Sequence, residues 1–266
     1  MKAKKSLGQN FLINVSILPT IIKAAEIKSG DTIIEVGPGY GVLTEALLKA
    51  GANVFAIEKD FDLIAHLTKK FGNNKNLKIV HQDALWFDET TLAKYKVVAN
   101  LPFNVASPLI RKFLESSNQP ELMVLMVQKE VAEKITAKPG NSERGVLTLS
   151  VEFYGNAEII SIISKNNFRP EPKVDAAIIK IEPYKPHRVG EGKKVESKLF
   201  FRIVKAGFSA KRQQIHNSLA ATLRLSKYQV KDLLTRSSIN PIKRAEDLTL
   251  DDWINLSKTF DSTILK

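Results

Sequence analysis

The stretch Asp31–Ala50, DTIIEVGPGYGVLTEALLKA, decides how the rest of the chain is read. A short apolar run ends at three glycines in alternate positions (Gly37, Gly39, Gly41), and the residues after them carry apolar side chains every three or four places. That is a strand, a tight turn and a helix. Glycine lets a backbone approach a ligand closely, and the helix start adds a positive dipole there. The spacing is G-x-G-x-G, not the dinucleotide pattern G-x-G-x-x-G, so by itself a ligand-free turn explains it nearly as well.

Working outward, the same alternation recurs. NVFAIEK (Asn53–Lys59), LKIVHQD (Leu77–Asp83), KVVAN (Lys96–Asn100) and LMVLMVQ (Leu122–Gln128) are short apolar runs. Such runs suit a parallel sheet covered on both faces. The spacers VLTEALLKA and FDLIAHLTKKF have helical period. This βαβ alternation predicts an α/β, doubly wound, mostly parallel sheet. Two later runs, LTLSVEFY (Leu147–Tyr154) and DAAIIKIEP (Asp175–Pro183), arrive with no clear helix between them and read as an antiparallel end, for seven strands in all. The Pro/Gly/Lys-rich residues 184–194 read as a linker between a domain at 1–183 and a small all-α, basic domain at 195–266.

The chain has 266 residues and 44% hydrophobic residues, enough for a substantial core. No run is long enough to span a membrane, and little precedes the first motif, so a cytoplasmic protein is expected; a monomer is the preferred state. With no cysteine and four scattered histidines, no metal site is expected. The net charge is +12, and from Pro183 onward 17 basic residues face 8 acidic ones, leaving 23 against 20 before it. That excess suits a polyanionic partner such as nucleic acid, and a lysine-rich, solvated surface is the plainer alternative.

Two carboxylates bear on the ligand. Glu58 ends the second strand, where it can accept from both hydroxyls of a ribose, and Asp83 ends the third, within reach of an adenine amino group. Either alone could be a helix cap. Together with the glycine turn, at successive strand ends, they favour an adenosine-containing ligand. No Walker lysine motif is present. The glycine pattern resembles that of class I S-adenosylmethionine-dependent methyltransferases, a Rossmann-like fold.

The fourth strand ends in Asn100-Leu101-Pro102-Phe103. This tetrapeptide is similar to the [NDS]-P-P-[YF] motif of amino-group methyltransferases. The Asn100 side-chain carbonyl and the Leu101 backbone carbonyl can accept from an amine and free its lone pair. Pro102 stiffens the turn, and Phe103 offers a face to an extruded base. Phe168, in NNFRPEPKVDAA, could close the other face of that base or could be a packing plug. The loop Thr136–Leu147, with Lys138 and Arg144, looks suited to moving over a substrate backbone.

KKSLGQNFL (Lys4–Leu12), EVGPGYG, QDA, NLPF and NFRPEPKVDAAI follow one another in the order and at about the spacings of the small-subunit ribosomal RNA adenine N6-dimethyltransferases, the KsgA family. GFSAKRQQIHNSL and RAEDLTLDDW extend the resemblance across nearly the whole chain. It implies S-adenosylmethionine as methyl donor, with contacts from Asn10, Leu12, Gly37, Gly39, Glu58, Asp83 and Asn100, and base stacking by Phe103 and Phe168. It implies two adjacent adenosines of the 3′-terminal hairpin of 16S rRNA as target, on an assembling small subunit. Phe103 stands where Tyr is common in relatives, keeping the face and losing the hydroxyl. Large-subunit methyltransferases of the macrolide-resistance type share the chemistry and a similar start. A non-catalytic assembly factor on this fold is the alternative from another class. Lys205, Lys211, Arg212 and Arg244 are the cations expected to dock on rRNA.

Overall fold

The computed structural model describes Lys4, residues 8–184 and residues 195–264, with side chains through Phe260. The described residues group into two compact units. One runs to Ala132 and adds Gly155–Pro183, and the other takes Glu133–Tyr154 and everything from Tyr184.

The chain passes through β1 (Phe11–Leu12), α1 (Leu18–Ala24), β2 (Thr32–Val36), α2 (Val42–Lys49), β3 (Asn53–Glu58), α3 (Phe61–Phe71), β4 (Leu77–His81), β5 (Lys96–Asn100), α4 (Ala106–Glu115), β6 (Met123–Gln128) and α5 (Lys129–Thr136). It continues with α6 (Val146–Tyr154), β7 (Gly155–Ile163), β8 (Phe168–Arg169), β9 (Ala176–Pro183), α7 (Ser197–Gly207), α8 (Ile215–Leu223), α9 (Lys227–Arg236) and α10 (Leu250–Ile264).

In the first unit a seven-stranded sheet runs in the order β4-β3-β2-β5-β6-β9-β7. The five strands from β4 to β6 are parallel, and β9 lies antiparallel to β6 and β7. The doubly wound, mostly parallel sheet expected from the βαβ alternation is therefore present. Its central strands are largely apolar because helices cover both faces, and residues such as Ile33, Val97, Val98 and Leu125 are fully buried. Each such side chain contributes about 1.5–3 kcal/mol relative to exposure. A separate ladder pairs β1 with β8, placing Phe11 opposite Arg169 and Leu12 opposite Phe168.

One expectation is corrected. LTLSVEFY is helix α6, not a strand, and the antiparallel edge strand is the following β7. The alternation of apolar and polar residues in this run is real, but in the helix both kinds are buried. Thr148 Oγ1 donates to the Lys134 carbonyl at 2.5 Å and Ser150 Oγ to the Val146 carbonyl at 2.8 Å, so neither hydroxyl needs solvent. The compact units also divide after Pro183, but Glu133–Tyr154 groups with the helical unit, where Leu149 and Phe153 of α6 join the apolar cluster of Phe200, Phe201, Leu219 and Trp253. Phe153 and Phe200 lie 4.3 Å apart between ring centroids. Residues 185–194 of the expected linker lie outside the described residues. Among the described residues no helix is long and apolar enough to cross a membrane.

Candidate active site

The strand order reverses direction between β2 and β5, which opens a crevice at the carboxyl ends of the parallel strands. The parallel register brings Val36 beside Ile57 and Glu58 beside His81, so the turns after β2, β3, β4 and β5 share one edge. The cleft there is lined by Asn10, Leu12, Gly37, Gly39, Glu58, Asp83 and Asn100–Phe103. Residues far apart in sequence thus converge, and of the expected site residues only Phe168 stays outside.

The glycine turn is pinned at its start by the Gly37 N–H, which donates to the Ile57 carbonyl at 2.9 Å, and closed by Gly41 N–H to the Pro38 carbonyl at 2.8 Å. Gly39 has φ +57°, and a Cβ there would stand 2.9 Å from the Phe11 ring, so both conformation and space require glycine. Phe11 also packs on Tyr40, 4.5 Å between centroids. Gly37 faces Pro102 across the crevice, a Cβ there being 3.5 Å from its ring.

Glu58 is 6% exposed. One of its carboxylate oxygens accepts from the backbone N–H groups of Lys59 and Asp60, both at 2.8 Å. Burial nonetheless holds its carboxyl above the usual range, against the pull of those donors and of the Gly39 N–H. Asp83 both caps the turn after β4, accepting from Leu85 N–H at 3.0 Å, and pairs with Lys59 at 2.8 Å. The Lys59 hydrogen bond, with the Leu85 N–H, keeps its carboxyl low. The capping role is therefore real and coexists with a place on the cleft wall.

The Asn100–Phe103 turn is built from main-chain bonds. Leu101 N–H donates to the Met126 carbonyl and Val105 N–H to the Pro102 carbonyl, each at 3.1 Å. Leu101 is buried and Phe103 half-buried at the cleft. The Asn100 Nδ2 donates to the Asn10 carbonyl at 3.2 Å.

Phe168 lies away from the cleft wall. It is fully buried in the apolar cluster that contains Leu12, Ile17 and Ile163. The packing-plug alternative describes its position, because pairing with Leu12 turns its ring into the core. Arg144 is likewise no mobile cation. It is fully buried, with a two-point contact to Glu152 at 2.7 and 2.6 Å and bonds to the carbonyls of Ala137 and Leu248.

Glu35 lines the cleft, and reading by strand ends missed it. It is 1% exposed inside β2 and accepts from Thr44 Oγ1 at 2.6 Å. Burial, with the like charge of Glu58 adding, pushes its carboxyl up to about 8. The signal was legible: an acid in the middle of the apolar run TIIEV has no place in a central parallel strand unless it serves a ligand or a buried partner.

In the helical unit Lys205, Lys211, Arg212 and Arg244 are all exposed. A backbone bridge between Gln214 and Arg244, beside Ile215 N–H to the Lys243 carbonyl at 2.7 Å, brings the main chain that follows Lys211 and Arg212 against that of Arg244. Among the described residues no group of acidic or histidine side chains is arranged to hold a metal.

Comparison with known proteins covers the whole architecture. The family model of ribosomal RNA adenine dimethylase matches residues 1–262. A ribosomal RNA small subunit methyltransferase A of Dehalococcoides mccartyi strain 195 is 44% identical over 257 residues, 95% of this chain and 87% of the relative. One of Fusobacterium nucleatum is 42% identical over 266 residues, 98% of each chain. Among solved structures, a dimethyladenosine transferase from Plasmodium falciparum superposes with TM-score 0.80 at 27% identity, covering 95% of this chain and 98% of that one. The 23S rRNA methyltransferase ErmE shares the fold at 23% identity, TM-score 0.72, over 95% of this chain and all of that one.

Proposed function

Because the chain belongs to the ribosomal RNA adenine dimethylase family, we propose that it transfers methyl groups from S-adenosylmethionine to N6 of two adjacent adenosines in the 3′-terminal hairpin of small-subunit rRNA, giving N6,N6-dimethyladenosine. The observation that carries this reading is the Asn100–Phe103 turn beside the glycine turn at the switch point of the sheet. Relatives at 42–44% identity bear the small-subunit name, whereas the likeness to the large-subunit enzyme, at 23%, speaks for the fold alone. This favours the small-subunit target over the resistance-type alternative. The intact tetrapeptide and carboxylates speak against a purely binding role.

The donor set fits the cofactor. The carboxylates Glu35, Glu58 and Asp83 on the cleft wall supply acceptors for a cationic, adenosine-containing molecule. Bound there, S-adenosylmethionine supplies an electrophilic methyl group on sulfur. Glu58 would hold the ribose hydroxyls, Asp83 the adenine amino group, and Asn10 and Leu12 would cover the cleft.

The protein's part in the chemistry is positioning. Asn100 Oδ1 and the Leu101 carbonyl accept the two hydrogens of the target amine, which turns its lone pair out of the purine ring. Phe103 stacks on the extruded base, and Pro102 keeps both carbonyls aimed. No strong base is required, since methylation acidifies the proton left on nitrogen. After the first transfer one acceptor must release its hydrogen to make room for the second methyl. Lys211, Arg212 and Arg244, with Lys205, dock on the rRNA of the assembling small subunit in the cytoplasm.

The test uses labelled S-adenosylmethionine with small subunits lacking this modification, beside protein-free large-subunit RNA and an Asn100→Ala enzyme. Label as dimethyladenosine in the small-subunit hairpin, lost in Asn100→Ala, is expected. Label in large-subunit RNA, or tight subunit binding without any transfer, would refute the assignment.

A further inference from the structure

The Asn100 side chain has two possible amide orientations, and only one offers an acceptor to an incoming amine. Its NH2 group donates to the Asn10 carbonyl oxygen at 3.2 Å. A backbone carbonyl can only accept, so the reverse orientation would set two carbonyl oxygens against each other. Among the described residues this is the one hydrogen bond of the Asn100 side chain. Asn10 is therefore what leaves Oδ1 free in the cleft.

The position of that carbonyl is set by its neighbours on both sides. Gly8 has φ +65° and lies so close to Asn104 that a Cβ would stand 2.7 Å from Oδ1 of that side chain. Gln9 Nε2 donates to Asp60 Oδ2 at 2.9 Å, and Lys4 reaches the other Asp60 oxygen at 2.5 Å. These bonds outweigh the burial that would raise the Asp60 carboxyl and hold it low, so it stays an anionic anchor at neutral pH. On the other side Phe11 rests on Gly39 and Tyr40, and the β1–β8 pairing fixes the main chain. The segment thus spans from the loop after β3 to the residue that follows Phe103.

We propose that this N-terminal segment is a positioning element for methyl transfer: the Asn10 main-chain carbonyl locks the Asn100 amide with its oxygen toward the target amine. This rests on the reading of Asn100 as the N6 acceptor and deepens it. Asn10 acts through its backbone, beside any contact its side chain makes with the cofactor. When the segment is displaced, the amide is free to turn, and its NH2 can then face the substrate NH2. Covering the cleft and arming the acceptor become one event.

The experiment compares wild type with Gly8→Ala, whose added methyl meets Asn104, and with Gln9→Ala, which loses the bond to Asp60 at less strain. In 15N-labelled protein the Asn100 side-chain NH2 pair is identified by its loss in Asn100→Asp. Wild type should show it exchanging slowly with solvent, and both variants faster, with melting curves confirming that they remain folded. With saturating cofactor, kcat on small subunits should fall by about threefold to tenfold, as for a lost neutral hydrogen bond. Affinity for S-adenosylhomocysteine should change less. Unprotected wild-type NH2 protons, retained protection in both variants, or faster exchange with unchanged kcat would each overturn the proposal. Protected NH2 protons in a wild type that transfers no methyl group would overturn the Asn100 reading, and this proposal with it, while the contact to Asn10 stood.

Discussion

Replacing Glu35 by glutamine should make the stability of this protein less sensitive to pH. Glu35 is 1% exposed, and its carboxyl is raised from 4.5 to about 8. The folded state therefore keeps a proton that the unfolded state releases above 4.5, and folding stability falls as pH rises through that window. At roughly 1.4 kcal/mol per pH unit the whole interval amounts to about 5 kcal/mol, and about 3 kcal/mol of it has accrued by pH 7. Above pH 8 the group is ionised in both states and the loss levels off. The Glu35→Gln protein has no such penalty, and the new amide carbonyl can still accept from Thr44 Oγ1, now 2.6 Å from the carboxylate. Urea unfolding of both proteins from about pH 5 to about pH 9 measures the difference directly. Carboxyls that the fold holds low, such as Asp31 and Asp83, titrate alike in both proteins and cancel. The gap in favour of Glu35→Gln should widen with pH up to about 8 and then stay constant. Parallel pH profiles would show that Glu35 ionises as easily folded as unfolded, and that the buried acid is not where the reasoning puts it.

Two further outcomes follow from the same electrostatics. Binding a cationic cofactor beside Glu35, whose carboxyl is pushed up to about 8, should release protons near neutral pH. Calorimetry of S-adenosylmethionine binding in buffers of different ionisation enthalpy would measure this, and Glu35→Gln should release fewer; equal heats in all buffers would contradict it. In the helical unit, Arg144→Ala should cost about 3–5 kcal/mol, because it leaves Glu152 and the carbonyls of Ala137 and Leu248 without their partner. Arg144→Lys should not restore the loss, since a single ammonium cannot reproduce the two-point contact, and denaturant unfolding of both variants decides the matter.

The local pattern of residues was enough to determine the sheet and the edge that carries the site. Short apolar runs alternating with helical period have one economical solution, a parallel sheet wrapped by helices, and its ligands bind where the strands end. That logic placed the glycine turn, Glu58, Asp83 and Asn100–Phe103 on one cleft before any coordinates. Where a run satisfied two periods at once, only tertiary structure could choose. LTLSVEFY alternates like a strand, but α6 buries its apolar side chains among Phe200 and Phe201 and satisfies its hydroxyls on nearby carbonyls. The fates of Phe168, Arg144 and Glu35 were also set at long range. A Phe in a proline-rich loop becomes core when β1 pairs with β8. An Arg in a glycine-rich loop becomes a buried clasp when Glu152 and the Leu248 carbonyl meet it. An acid in a strand becomes a proton-holding carboxyl when burial and Glu58 deny it charge. The contact from Asn100 to Asn10 spans 90 residues. Sequence specifies each partner's chemistry, and folding alone decides which carbonyl an amide will face.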